Sequence, residues 1–75
     1  MKQIKQYDLV VVLQDKLFKY KNSEAIVKKG TLGYVVDIII LDNLPTGYDV
    51  ELIDTEFHSP VFTFREDEID LCKEK

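Results

Sequence analysis

The chain has 75 residues, 45% of them hydrophobic and 32% charged, with a formal net charge of −4. That length holds a single domain, residues 1–75, with one core; a domain of this size buries only about 60 to 65% of its unfolded surface, which leaves little room for a deep pocket. Four Tyr and four Phe argue against intrinsic disorder, and the lone Cys72 excludes an internal disulfide. No run of about 18 apolar residues is present, and after Met1-Lys2-Gln3-Ile4-Lys5 the apolar stretch is only Leu9 to Leu13, so neither a spanning helix nor a secretory leader is expected and the chain reads as soluble and cytoplasmic.

In chain order, Leu9-Val10-Val11-Val12-Leu13 is short, β-branched and bounded by polar residues, which predicts a first strand over Tyr7–Leu13 buried on both faces. From Gln14 to Val27 the apolar residues Leu17, Phe18, Tyr20, Ala25 and Ile26 are scattered among Lys, Asn and Ser, and Asn22-Ser23 interrupts any sustained period. This segment reads as a long first loop, with room for a helical turn, whose apolar residues cap one end of the core. Two closely spaced glycines follow in Lys28-Lys29-Gly30-Thr31-Leu32-Gly33-Tyr34-Val35-Val36. Gly30 predicts a turn. Gly inside a strand costs stability unless the backbone needs a bulge, a sharp bend or a close neighbour, and Gly33, at the start of a long second strand over Thr31–Leu41, is read as the bend that closes the barrel.

Asp42-Asn43-Leu44-Pro45-Thr46-Gly47 is a turn cluster in which Gly47 is free to take a positive φ. Tyr48-Asp49-Val50-Glu51-Leu52 alternates apolar and acidic residues, predicting a half-buried third strand with Asp49 and Glu51 toward solvent. After the connection Thr55–Pro60, Val61-Phe62-Thr63-Phe64 resumes a strand with both Phe on one face. Arg65-Glu66-Asp67-Glu68 then predicts a short helical turn before a last strand, Ile69–Cys72. The fold class expected is all-β: a small five-stranded SH3-like barrel with a long first loop and a short helical turn before the last strand.

The series Tyr7-Asp8-Leu9-Val10-Val11-Val12-Leu13, Lys29-Gly30-Thr31-Leu32-Gly33-Tyr34-Val35-Val36, Tyr48-Asp49-Val50-Glu51-Leu52-Ile53-Asp54 and Phe64–Leu71 resembles a bacterial domain-of-unknown-function family of small SH3-like barrels, over most of the chain. The G-x-x-G-x-V element is shared with KOW-type segments of ribosomal and transcription proteins. The loop from Gln14 to Lys29 is longer and more basic than the family pattern, and Leu52 stands where an aromatic is usual. The resemblance implies a small bacterial protein, in some members encoded near toxin or mobile-element genes as immunity proteins are, and it carries over no catalytic residue.

The functional chemistry therefore has to come from the surface. His58 stands alone in an expected turn, no nucleophile elbow is present and Cys72 lies near the end, so no catalytic residues are assigned and the protein reads as not an enzyme. There is no C-x-x-C, no pair of His and no calcium-loop spacing, so no metal or cofactor is expected; Glu66-Asp67-Glu68 with Asp70 reads as a solvated cap. Charge is unevenly divided: residues up to Gly33 sum to +4 and those from Tyr34 onward to −8. The acidic half points to a protein partner, a toxin or nuclease whose basic cleft would meet Asp49, Glu51, Asp54 and Glu56, with Tyr48 or Phe57 as an aromatic anchor. The alternative is a KOW-like RNA-binding barrel using Lys16, Lys19, Lys21, Lys28 and Lys29, interleaved with Phe18 and Tyr20; the overall negative charge disfavours nucleic acid, and no membrane contact is expected.

Overall fold

The computed structural model describes residues 3–19, 21–53 and 61–72, and these form an all-β molecule. The strands are β1 Leu9–Val12, β2 Lys16–Lys19, β3 Glu24–Val27, β4 Leu32–Ile39, β5 Gly47–Leu52, β6 Val61–Arg65 and β7 Ile69–Leu71, with a 3₁₀ turn at Glu66–Glu68 between β6 and β7. Five of them make one antiparallel sheet in the order β6-β5-β4-β1-β7, and β2 and β3 pair separately. The five strands expected from the sequence are those of the larger sheet.

The expected long loop is instead the β2–β3 hairpin, in register from Lys16 opposite Val27 to Lys19 opposite Glu24. Its alternation is short but real: Lys16, Phe18, Ala25 and Val27 turn inward, while Leu17, Lys19, Glu24 and Ile26 face solvent. Asn22-Ser23 lies in the connection between these strands and does not break a longer period. Phe18 fixes the hairpin over the sheet, its ring centroid 4.7 Å from that of Phe62 and 5.4 Å, edge-on, from that of Phe64. Such aromatic pairs add about 0.5–1.5 kcal/mol beyond the area they bury.

The core lies between the hairpin and the inner face of the large sheet. Val10 and Val12 of β1, Val35 of β4, Val50 of β5, Phe64 of β6, Ile69 of β7 and Val27 of the hairpin are essentially inaccessible. The first strand is not buried on both faces as expected, since Leu9 and Val11 are only half-buried on the side away from the hairpin. Gly33 sits inside β4 because β5 comes very close: a Cβ there would stand 2.5 Å from Val50 Cγ1 and 2.8 Å from the Glu51 carbonyl oxygen. The bulge in β4 falls later, between Val35 and Asp37.

Turn chemistry sets the strand starts. Gly30, at φ 92°, is the third residue of a turn in which Thr31 N–H donates to the Lys28 carbonyl at 3.2 Å. In the β4–β5 connection it is Asn43, at φ 64°, and not Gly47 that takes the left-handed conformation, within a turn closed by Leu44 N–H on the Leu41 carbonyl. Asn tolerates that region, which frees Gly47 to begin β5. Tyr7 also has a positive φ, 76°, at the third position of a turn from Lys5 to Asp8 whose backbone is tied to β4 by Tyr7 N–H to the Val35 carbonyl.

Candidate protein-binding face

The side chains that point away from the hairpin form the outer face of the five-stranded sheet. Strand alternation puts Leu9, Tyr34, Glu51 and Val61 in one cross-strand row, because Leu9 pairs with Tyr34, Tyr34 with Glu51, and Glu51 with Val61. A parallel row runs through Asp70, Val11 and Leu32, and Ile53 N–H donates to the Leu32 carbonyl at 2.8 Å. A third row holds Asp37, Asp49 and Thr63. The described elements leave this face open: Tyr34 keeps 47% and Val61 46% of their surface accessible.

Four carboxylates, Asp37, Asp49, Glu51 and Asp70, punctuate this face, and no ion pair among the described residues involves any of them. Asp49 is half-buried, with Oδ1 accepting from Thr63 Oγ1 at 2.6 Å. Asp37 Oδ1 accepts from the Ile38 N–H at 2.9 Å. These two aspartates are direct cross-strand partners. Like charges directly opposite each other are destabilising, and no ion pair among the described residues offsets this one.

Of the acidic-face residues expected from the sequence, Asp49 and Glu51 lie on this surface, side by side along β5. Asp54, Glu56 and Phe57 lie outside the described residues. Tyr48 requires a correction. As an alternate residue of β5 it faces inward and is only 7% accessible, so it belongs to the core and is not an exposed anchor. Burial first, and the Glu66 charge second, push its phenol pKa up. Sequence reasoning missed Tyr34, Val61 and Asp37. Tyr34 and Val61 follow from alternation once Val35 and Phe62 are placed inside. Asp37 does not, because the bulge at Val36 shifts the phase of β4 and brings to the outer face a residue that plain alternation assigns inward.

The basic residues do not assemble into one surface. Lys16 is half-buried: its Nζ is 2.7 Å from Glu68 Oε1 and lies 4.9 Å from the Phe18 and 5.4 Å from the Phe64 ring centroids. Lys19 and Lys21 are exposed near the hairpin tip, and Lys28 and Lys29 are exposed near its base, where the Lys29 N–H donates to Asp15 Oδ1 at 2.8 Å. Phe18 is occupied in the core contact with Phe62 and Phe64, and Tyr20 lies outside the described residues. A shallow polar cleft lined by Gln14, Asp15, Lys16, Arg65, Asp67 and Glu68 surrounds the Lys16 ion pair. There, Glu68 Oε1 also accepts from the Arg65 N–H at 2.8 Å. Burial pushes the Glu68 carboxyl up, but the Arg65 backbone hydrogen bond, the Lys16 hydrogen bond and the charges of Lys16 and Arg65 outweigh it and hold the group below its ordinary value.

Among the described residues no three His, Cys, Asp or Glu side chains are gathered as metal ligands, and no helix is long and apolar enough to cross a membrane. His58 lies outside the described residues. Cys72 is half-buried and a free thiol. Comparison with protein-family models, with curated proteins and with solved structures gave no match.

Proposed function

We propose that this chain is a non-enzymatic protein-binding module, an SH3-like barrel of the small bacterial family it resembles, which works in the cytoplasm as an immunity or inhibitor protein by masking a basic toxin or nuclease. The observation that carries this reading is the outer sheet face, where Asp37, Asp49 and Glu51 form no ion pair among the described residues and lie among accessible Tyr34 and Val61. An open surface of aromatic, aliphatic and uncompensated acidic groups matches a partner of the opposite charge, which it would attract at long range and hold by desolvated contact. The RNA-binding alternative has less to work with, since Lys16 is committed to Glu68 and Phe18 to the core.

The test is capture from cells of the source organism with the wild-type chain and with the Asp49→Lys/Glu51→Lys double variant. A basic protein recovered in stoichiometric amount by the wild type, with affinity at least about tenfold weaker for the variant and a difference that narrows as salt is raised, is expected. A partner bound equally well by both, or RNA captured through Lys28 and Lys29, would count against the proposal.

A further inference from the structure

The row Tyr34–Glu51–Val61 specifies more than negative charge. Its three residues belong to adjacent strands β4, β5 and β6 and are direct partners in register, so an aromatic ring, a carboxylate and an aliphatic side chain lie in line across the sheet. Directly opposed residues have Cβ atoms about 4.5–5.5 Å apart. The span from Val61 to Tyr34, two strand spacings or about 10 Å, suits one long side chain laid across the strands. Glu51 is exposed, takes part in no ion pair among the described residues, and has the Tyr34 ring on one side and Val61 on the other.

Resting on the reading of this face as a partner-binding surface, we propose that the row is an arginine subsite. An arginine of the partner would lie with its aliphatic stem along Val61, its guanidinium paired with the Glu51 carboxylate and its plane against the Tyr34 ring. Arginine fits better than lysine because its planar fork meets a carboxylate bidentately and also stacks on an aromatic face, whereas an ammonium is compact and strongly hydrated. A stem with several methylenes covers apolar surface while its charged end stays polar. The opposed Asp37 and Asp49 one row away independently favour a cationic occupant, because a second positive group there would relieve the repulsion between them.

The experiment titrates the isotope-labelled full chain with hexa-arginine and, separately, hexa-lysine peptide at low salt, following amide and tyrosine-ring resonances. The arginine peptide is expected to bind about threefold more tightly, to shift the Tyr34 ring and the amides around Glu51 and Val61, and to lose that preference in Tyr34→Leu. Glu51→Gln, a near-isosteric change at an exposed site, should weaken the arginine peptide more than the lysine peptide. Equal affinity of the two peptides, mapped to Asp37, Asp49 and Glu51, overturns the arginine subsite and leaves the acidic-face reading standing. An arginine preference that survives Tyr34→Leu also overturns it. Shifts confined to Glu66–Glu68, or no binding by either peptide, overturn both.

Discussion

A methyl group at position 33 would collide with Val50 Cγ1 and with the Glu51 carbonyl, and the second of these is backbone that cannot swing aside without parting β4 from β5. Gly33→Ala should therefore cost about 2–3 kcal/mol, at the upper end of what overpacking costs, read from chemical denaturation. Gly47→Ala is the control. Its Cβ would meet Thr63 Cγ2 at 3.5 Å and Ile39 Cβ at 3.8 Å, ordinary contact, so stability should hold or rise by up to about 0.5 kcal/mol. The need for glycine at 33 could be read from a Gly inside a strand pattern; which backbone approaches it could not, because that depends on a partner far along the chain. Glu68 carries the pH dependence at this scale. Its folded pKa is lowered from 4.5, so its stabilising effect is fully present above that value and is lost as pH falls through the depressed folded pKa. Stability measured from pH 7 downward should fall in the acid range below about 4.5, and Glu68→Gln should flatten that part of the profile while lowering the neutral plateau.

The β2–β3 hairpin shares no ladder with the large sheet and is held to it by side chains: Phe18 on Phe62 and Phe64, and Lys16 on Glu68. An element attached in this way should open below the global unfolding free energy. Amides of Leu17–Lys19 and Ala25–Val27 should exchange faster than those of β4 and β5, and Phe18→Ala should cost about 2–3 kcal/mol and widen that gap. Equal protection across both sheets would count against independent opening. The hairpin was hard to see in the sequence because a four-residue strand shows only two inward positions, and one of them in β2 is a lysine. Lys16 looks solvent-bound by residue type, yet its ammonium reaches a carboxylate over two aromatic rings. The bulge in β4 hid Asp37 in a similar way: a single extra residue reverses the face of everything after it, and nothing in Tyr34-Val35-Val36-Asp37 announces where that residue falls. By contrast, Asp49 and Glu51 were legible, since β5 alternates without interruption.

Across the whole molecule, the five strands of the large sheet could be drawn from the sequence because each is an apolar run or an apolar–polar alternation bounded by turn residues. Their order could not, since pairing of β1 with both β4 and β7 joins segments distant along the chain. The same limit applies to the face: the acidic residues were visible one by one, but their alignment with Tyr34 and Val61 exists only once the register is fixed. That sheet order also brings the first and last strands together, with Cys72 N–H donating to the Leu9 carbonyl at 2.9 Å. From β1 to β7 the described strands therefore trace a path close to a ring, and their linear order is one of several ways to open it. A circular permutant of residues 1–75, with a flexible linker joining residue 75 to residue 1 and opened between the exposed Asn22 and Ser23, should keep every pairing of the large sheet and give a well-dispersed amide spectrum. In that rearranged chain β3 would be made first and β2 last, so the outer face with its row of Tyr34, Glu51 and Val61 would arise from one uninterrupted stretch, untouched by the cut.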